Sequence, residues 1–191
     1  NDQGENVASA FTYPGLIHFY NSQKNFENAA LINFGEDVLT SNSAQPIMAT
    51  SYITPELFTL LDTPMALGRR FEQTEALESF NPVAIISYQT WQKQFKGAKD
   101  ILGKKITFNK ISFKIVGVTA ASFIEPELFE TGRQTQVWLP WDHNSLRSAY
   151  QYAWGNIRGE IGFLGKLKNN VTKTQTEQSI NAYLNELWQE N

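Results

Sequence analysis

The sequence predicts an α+β protein in which one block of the chain is inserted into another. Three observations lead to this fold class. Helix and strand patterns alternate over the 191 residues, without an internal repeat or a low-complexity tract. A block of mostly strand patterns occupies residues 81–142. The flanking segments, 1–80 and 143–191, carry patterns that complement one another, so we predict that they form one discontinuous subdomain around an inserted, mostly-β subdomain.

The first flanking segment is predicted to alternate strands with two helices. Pro14 suits the first turn of a helix, where its missing N–H has no partner in any case. Gly35-Glu36-Asp37 predicts a turn that divides an apolar stretch into two hairpin strands. Thr54 is placed to cap the second helix, with Pro55 at its first position. The predicted strands are 5–12, 26–34, 38–41 and 47–52, the helices are 15–23 and 55–61, and an extended segment, 65–71, leads into an exposed polar loop, 72–81.

The inserted block is predicted to contain one helix among four strands. Pro82 bounds an apolar strand, 83–87. The helix that follows, 88–95, buries Trp91 and Phe95 at i,i+4 spacing. Alternating apolar and polar residues on both sides of Asn109-Lys110 predict a β-hairpin with strands 105–109 and 112–119. The last strand, 137–140, follows a loop at 120–135 that is rich in Glu and Phe.

The second flanking segment ends in the clearest helix of the chain. Residues 146–160 contain two glycines and give no single prediction, whereas 161–168 predict a strand. Thr172 and Thr174 each begin a capping box, with Gln175 or Glu177 three residues later. The apolar stripe of the predicted helix consists of Ile180, Tyr183, Leu184, Leu187 and Trp188.

Composition and charge narrow the functional classes. The chain has 16 basic and 19 acidic residues and a formal net charge of −3, so it has no basic excess to hold a nucleic-acid backbone. It contains no cysteine, which rules out disulfides, thiolate metal sites and cysteine nucleophiles. No apolar run approaches the roughly 18–20 residues of a membrane span, and we find no signal peptide. The start at Asn1 and the polar end at 189–191 lead us to expect a fragment of a longer protein.

An ordered set of short motifs runs through most of the chain. They are Ser51 to Phe58, Leu67-Gly68-Arg69-Arg70-Phe71, Pro82 to Ser87, Trp91 to Phe95, Gly97, Ile101 to Lys104, Ile106 to Asn109, Phe113 to Val118, Val137 to Pro140, Leu164 to Lys168 and Val171-Thr172. No single motif is specific, but their order is, and over roughly residues 6–188 the series resembles the extracytoplasmic core domain of MacB-like (FtsX-type) ABC transporter permeases. The loop Gly97-Ala98-Lys99-Asp100 departs from the family, in which many members have a shorter acidic turn.

The resemblance implies both a fold and a functional setting. In the family, two discontinuous segments form a porter-like subdomain, here 1–80 and 143–191, and the middle segment, here 81–142, forms a mostly-β subdomain. The domain would be soluble, on the outer side of the bacterial inner membrane, with one membrane helix before Asn1 and three after Asn191. The implied partners are a second permease copy, a cytoplasmic ABC ATPase and a periplasmic adaptor protein. The implied role is to couple ATP-driven motion to substrate export or to mechanotransmission, without catalysis or a cofactor in the domain itself.

Residue types that support catalysis are few. Only two histidines are present, His18 and His143, and neither lies in a motif with a nucleophile or with further metal ligands. The chain also lacks a phosphate-binding G-x-x-x-x-G-K-[ST] loop, so we expect no ATPase activity from it. Adjacent arginines on an extended segment point to opposite faces, so we interpret Arg69 and Arg70 as structural or surface ion pairs rather than as an anion clamp.

Two alternative functions follow from the aromatic and acidic residues of the C-terminal half. Glu125, Glu127 and Glu130 resemble in type the paired carboxylates of a glycoside hydrolase, and Trp138, Trp141 and Trp154 are candidates for stacking on sugars. The same tryptophans would suit a secreted peptide- or carbohydrate-binding module. The competing interpretation is a solvated loop beside core tryptophans, which needs no ligand.

The loop at 120–135 also supplies the one candidate partner surface. Apolar side chains on an exposed loop can mark a protein interface, and this loop carries four of them: Phe123, Ile124, Leu128 and Phe129. The alternative is that they fold back onto the sheet. We predict no catalytic, metal-binding or cofactor-binding residue.

Overall fold

The α+β class is confirmed by a computed structural model, which describes residues 11–127, 131–154, 157–158 and 161–190. The strands are β1 (Phe11–Thr12), β2 (Phe26–Val38), β3 (Ile47–Ile53), β4 (Met65–Gly68), β5 (Val83–Ile86), β6 (Lys105–Phe108), β7 (Ile111–Thr119), β8 (Val137–Pro140), β9 (Ile157–Arg158) and β10 (Ile161–Leu167). The helices are α1 (Tyr13–Ser22), α2 (Glu56–Leu60), α3 (Tyr88–Phe95), α4 (Ser145–Tyr150) and α5 (Lys173–Glu190). Two short 3₁₀ helices lie at Gln73–Glu75 and Trp141–His143.

One eight-stranded sheet runs through all three chain segments. Its order is β10-β2-β3-β8-β5-β7-β4, and β6 pairs with β7 beside this path. The parallel pairing of β3 with β8 joins the first flanking segment to the inserted block. On the far side, β4 from the first segment pairs with β7 of the block. The subdomain boundaries at residues 81 and 142 therefore stay a prediction, because one continuous sheet crosses both of them.

The buried apolar side chains among the described residues form three clusters, each packed against a different helix. Tyr13 and Leu16 of α1 lie in a cluster with Trp141. Leu57 and Phe58 of α2 lie in a second cluster. The third, against which α3 packs, combines residues of β2–β3 and of the β6–β7 hairpin: Leu39, Met48, Tyr52, Phe108 and Phe113 are among its members. The helices therefore cover a core that the flanking segments and the inserted block build together.

The turn predicted at Gly35 is wrong, because β2 continues unbroken to Val38. Gly35 pairs with Thr50 and Asp37 with Met48, so both are ladder positions. A Cβ at Gly35 would lie 2.9 Å from Thr50 Oγ1. The glycine is therefore needed to leave space for the Thr50 side chain and not to let the backbone turn. The chain reverses at 39–46 instead, where Gln45 has a φ of 44°.

Two further predictions in the first segment are corrected. Thr54 does not cap α2 with its side chain, since its Oγ1 accepts a hydrogen bond from the Leu31 N–H at 3.1 Å. The segment 72–81 is not a fully exposed loop either, because Glu75 within it is only 1% exposed. Thr54 bonds to a residue 23 positions away in sequence, and Glu75 is held by both terminal nitrogens of Arg69; the local pattern reveals neither contact. Of the predicted strand 5–12, only residues 11–12 lie among those described, and they form β1.

Predictions that rest on local chemistry are confirmed. Asn109 and Lys110 have φ values of 50° and 67°, the left-handed conformations that a two-residue type I′ hairpin turn requires. Helix α3 spans residues 88–95 as predicted and is capped by the Ser87 side chain, which accepts from the Thr90 N–H. At the start of α5, Thr172 Oγ1 accepts from the Gln175 N–H, and the Gln175 side chain accepts from the Thr172 N–H.

Candidate functional site

The fold places two residues of the predicted partner surface in different environments. Phe123 is half-buried and packs against Trp138, with 6.1 Å between ring centroids. Ile124, beside it, is 79% exposed. Leu128 and Phe129 lie outside the described residues. The described part of the loop therefore anchors one apolar residue on the sheet and presents the next one to solvent.

Glu125 holds the two ends of this loop together. It is 8% exposed. Its Oε2 accepts from the Thr135 N–H at 2.6 Å and its Oε1 from the Thr135 hydroxyl at 2.8 Å. The Thr135 hydroxyl also lies 2.6 Å from Ser51 Oγ on β3. Burial raises the pKa of the Glu125 carboxyl, although the Thr135 hydrogen bonds act in the opposite direction. Glu125 is thus a structural carboxylate that fixes the base of the candidate surface.

A small cavity of about 90 Å³ lies between this loop and α3. Ala120 and Phe123 form its loop side, and Tyr88 and Lys93 line it from α3. Its volume is well below the roughly 300–1,000 Å³ of a typical small-molecule site. The cavity is therefore too small for a typical small-molecule ligand.

The residues proposed for glycoside hydrolysis do not come together. The Glu125 carboxylate is occupied by Thr135, Glu127 is exposed, and Glu130 lies outside the described residues. Trp138 and Trp141 are 2% and 1% exposed, so neither ring face is open to a sugar. Trp141 also donates its indole N–H to the Tyr13 hydroxyl at 3.0 Å. These two tryptophans are core residues, as the competing interpretation predicted.

Trp154 is different, because it lines an open cleft of about 540 Å³ between α1 and α4. Tyr152, which is 84% exposed, stands at the same cleft. Other residues that line it are Pro14, Ile17, His18, Leu77 and Arg147. His18 is exposed and stacks on Tyr183 of α5 with 5.5 Å between ring centroids, and its Nδ1 is hydrogen-bonded to the Tyr183 hydroxyl.

Asp142 is a fully buried carboxylate in the short 3₁₀ helix that follows β8. It accepts hydrogen bonds from the N–H groups of Glu78 and Phe80, at 3.0 and 3.1 Å. Arg147 Nη1 lies 2.7 Å from its Oδ1, and the guanidinium stacks 4.3 Å from the centroid of the Phe80 ring. All of these partners are protein groups, so Asp142 ties α4 to the segment after β4. Among the residues that the structure describes, no three side chains are grouped to hold a metal ion.

Arg69 and Arg70 make separate ion pairs, in agreement with the structural interpretation. Arg69 donates from both terminal nitrogens to Glu75, at 2.9 and 3.0 Å. Glu75 has a side chain with no solvent exposure. Arg70 pairs with Asp62 at 3.2 Å and also donates to the Thr63 carbonyl at 2.7 Å. The two guanidinium groups therefore do not share a ligand.

His143 provides a prediction on pH. Its Nε2 is buried without a hydrogen-bond partner, and its ring meets Phe113 edge-on at 5.0 Å. Burial lowers the pKa of His143 below 6.5, with Arg147 contributing in the same direction and Asn81 and Asp142 opposing. The imidazole of His143 is therefore protonated more readily in the unfolded chain than in the folded one. The contribution of neutral His143 to the free energy of unfolding is complete above the unfolded-state pKa and is lost as the pH falls below it.

We expect the wild type to lose thermal stability relative to His143→Gln between about pH 7.5 and about pH 5.5, because the variant removes this titration. The measurement is the Tm of both proteins across the series. Comparing the two proteins at each pH cancels the titration of Glu125, which acts in the opposite direction. A Tm difference that stays constant with pH would contradict the prediction.

A family comparison identifies the class to which this architecture belongs. A family model described as the MacB-like periplasmic core domain matches residues 4–183. The protein is thus an extracytoplasmic domain of the ABC transporter permease class. The chain belongs to the MacB-like periplasmic core domain family, and this confirms the resemblance and the periplasmic location. Domains of this family are generally non-catalytic. No curated protein sequence matches the chain significantly.

Solved structures share the fold at low sequence identity. The periplasmic region of MacB from Actinobacillus actinomycetemcomitans is 15% identical, with a TM-score of 0.65 over 93% of this chain and 74% of that one. A permease-protein domain from Porphyromonas gingivalis is 16% identical, with a TM-score of 0.64 over 93% and 78% of the two chains. The extracellular domain of the ABC-type transporter YknZ from Gram-positive bacteria is 13% identical, with a TM-score of 0.61 over 89% and 78%. In the described part of this chain, no helix combines the length and apolar character that a membrane span needs.

Proposed function

We propose that this domain transmits motion for an ABC-type permease without performing chemistry itself. In this proposal, ATP binding to a cytoplasmic ATPase shifts the membrane helices, and the domain moves as a rigid body against that of a second permease copy. The motion serves substrate export or mechanotransmission on the outer side of the membrane. The family match supports the setting. The observation that carries the proposal is the single sheet, in which β3 and β8 pair across the predicted subdomain boundary.

A continuous sheet suits transmission because packed, hydrogen-bonded strands resist deformation. The β3–β8 pairing and the β4–β7 pairing both join the first flanking segment to the inserted block. A force applied at one end of the domain would therefore reach the other end without a flexible joint between them. A domain built to close over a ligand would instead be expected to move about a hinge.

We also propose that the loop bearing Phe123 and Ile124 meets a protein partner, with a periplasmic adaptor as the leading candidate. Ile124 is exposed while Glu125 and Phe123 hold the loop in place, so its apolar side chain is presented from a fixed base. The cavity beside Phe123 would receive one side chain of that partner. Leu128 and Phe129 belong to the same proposed surface.

The second candidate function is ligand capture by a peptide- or carbohydrate-binding module. The observation that favours it is the cleft with Trp154 and Tyr152, whose volume of about 540 Å³ is within the range of ligand sites. Ligand capture does not require the domain to move when ATP binds to the cytoplasmic ATPase, whereas transmission does. The two functions therefore differ in whether ATP changes the position of this domain.

Electron spin resonance on the membrane-embedded permease with its ATPase tests the proposal. The domain has no cysteine of its own, so spin labels can be attached to the variants Ile47→Cys and Tyr152→Cys. The native residues at these positions are 67% and 84% exposed. We expect ATP to change the distance between Ile47→Cys labels on the two copies. The distance from Ile47→Cys to Tyr152→Cys within one copy, measured beside an unlabelled copy, serves as the control and should not change.

The opposite pattern would overturn transmission. If the distance between copies is the same with and without ATP, while an added peptide or oligosaccharide shifts the label at Tyr152→Cys, ligand capture becomes the better account. A distance within one copy that changes with ATP would contradict rigid-body motion.

A further inference from the structure

The hairpin β2–β3 extends from the first flanking segment onto the inserted block. Its tip, residues 39–46, lies against β6. The Thr40 N–H donates to the Thr107 carbonyl at 2.9 Å, and the Thr107 N–H donates to Ser41 Oγ at 3.1 Å. These contacts link positions that are 66 and 67 residues apart in sequence. The tip therefore binds the inserted block through its backbone as well as its side chains.

The contacts at Thr107 cover the outer edge of β6. Backbone groups of successive strand residues point to opposite sides, so Thr107 faces the hairpin tip while Ile106 and Phe108 face β7. Ile106 and Phe108 lie opposite Phe113 and Ile111 in that ladder. A strand edge left open would expose an N–H and a carbonyl that a foreign strand could pair with. Here the tip of β2–β3 forms hydrogen bonds with both the N–H and the carbonyl of Thr107.

Asp37, on β2 two residues before the tip, adds a polar link. Its Oδ2 accepts from the Tyr52 hydroxyl at 2.7 Å and from the Thr50 hydroxyl, both on β3. Its Oδ1 accepts from Asn109 Nδ2 at 2.7 Å, in the turn of the β6–β7 hairpin. Burial and the Asp37 charge raise the pKa of Tyr52, which keeps this hydroxyl protonated as a donor. Each carboxylate oxygen thus serves a different hairpin.

An apolar contact lies beside the polar one. Leu39, the first residue of the tip, is 2% exposed and belongs to the same core cluster as Phe108 and Phe113 of the β6–β7 hairpin. Backbone hydrogen bonds, a shared carboxylate and a buried side chain therefore join the two hairpins at adjacent points.

We infer that the β2–β3 hairpin is a strap that holds the outer edge of the β6–β7 hairpin and adds a further link between the two predicted subdomains, beside the β3–β8 and β4–β7 pairings, with the Asp37 carboxylate as its polar centre. The purpose of such a strap rests on the proposed transmission function. Its existence does not, because it can be tested on the 191-residue chain without a membrane, an ATPase or nucleotide.

The test compares amide hydrogen exchange, measured by NMR, in the wild type and two variants of the turn. Asn109→Gly keeps the left-handed backbone and removes only the amide that reaches Asp37. Lys110→Gly is the matched control, because it makes the same change at the neighbouring left-handed residue. Loss of the hydrogen bond to the carboxylate should speed exchange of the Ile106 and Phe108 amides about tenfold in Asn109→Gly. Lys110→Gly only relieves a side chain in the left-handed conformation, so exchange there should be no faster than in the wild type.

The amides of β10, at the other end of the sheet, report on the fold as a whole. They should exchange at the wild-type rate in both variants. A third variant, Asn109→Asp, places a second carboxylate against Asp37 and should speed β6 exchange further. The inference is overturned if Asn109→Gly behaves like Lys110→Gly, or if exchange in β10 rises as much as in β6, which would indicate a general loss of stability. Neither result bears on the response to ATP, so the two proposals fail separately.

Discussion

Asp142→Ala is expected to lower the free energy of unfolding by about 3–5 kcal/mol, the usual cost of removing one partner of a buried ion pair. The carboxylate has no solvent exposure, and Arg147, its partner, is 22% exposed. The substitution would leave the Glu78 and Phe80 N–H groups without an acceptor and the guanidinium without its counter-charge. Chemical denaturation of the purified chain measures the loss.

Asp142→Asn is the matched variant for this prediction. It keeps the shape of the side chain and one acceptor oxygen but removes the charge, so it should retain part of the stability that Asp142→Ala loses. Glu27→Ala, which breaks an exposed pair with Lys166, should cost no more than about 1 kcal/mol. A loss of less than about 1 kcal/mol for Asp142→Ala would contradict the prediction, because it would mean that the Glu78 and Phe80 N–H groups and Arg147 find other partners.

Gly117→Ala is expected to destabilise the domain by about 3 kcal/mol or more, because it overfills a packed junction. A Cβ at residue 117 would lie 2.3 Å from the Arg69 carbonyl oxygen and 2.6 Å from Met65 Cε. The first of these is a backbone atom and cannot rotate away. Gly117 pairs with Gly68 between β7 and β4, so the clash would push apart the strands that close this edge of the sheet.

Gly103→Ala is the comparison that separates crowding from backbone strain. Gly103 has a φ of +87° but no atom within 4 Å of a built Cβ, whereas Gly117 is crowded without a positive φ. Gly103→Ala should therefore cost about 1–2 kcal/mol, the penalty of a left-handed conformation alone. Equal losses of unfolding free energy in the two variants would contradict the packing argument at Gly117.

Much of the fold follows from short stretches of sequence. Helix α3, the Asn109-Lys110 turn and the Thr172 capping box depend on residues within a few positions of one another, and each forms where it was predicted. The family resemblance likewise rests on an ordered series of local motifs, and the family match confirms it. The candidate surface was predicted only as a list of apolar residues. Which of them face solvent depends on Glu125 and Thr135, ten residues apart, and on Ser51 across the sheet.

By itself, then, the sequence determined the α+β class, the family and most of the elements, because propensity, turn chemistry and capping act over a few residues. Tertiary structure alone decided that β2 runs straight through Gly35 to meet Thr50 on β3. It alone decided that Glu75 and Asp142 are buried and that Asp37 bonds across two hairpins. Asp142 accepts its two backbone hydrogen bonds from residues 62 and 64 positions away. An isolated polar residue in a sequence looks the same whether it faces water or a distant partner, and only the folded chain brings that partner within hydrogen-bonding distance.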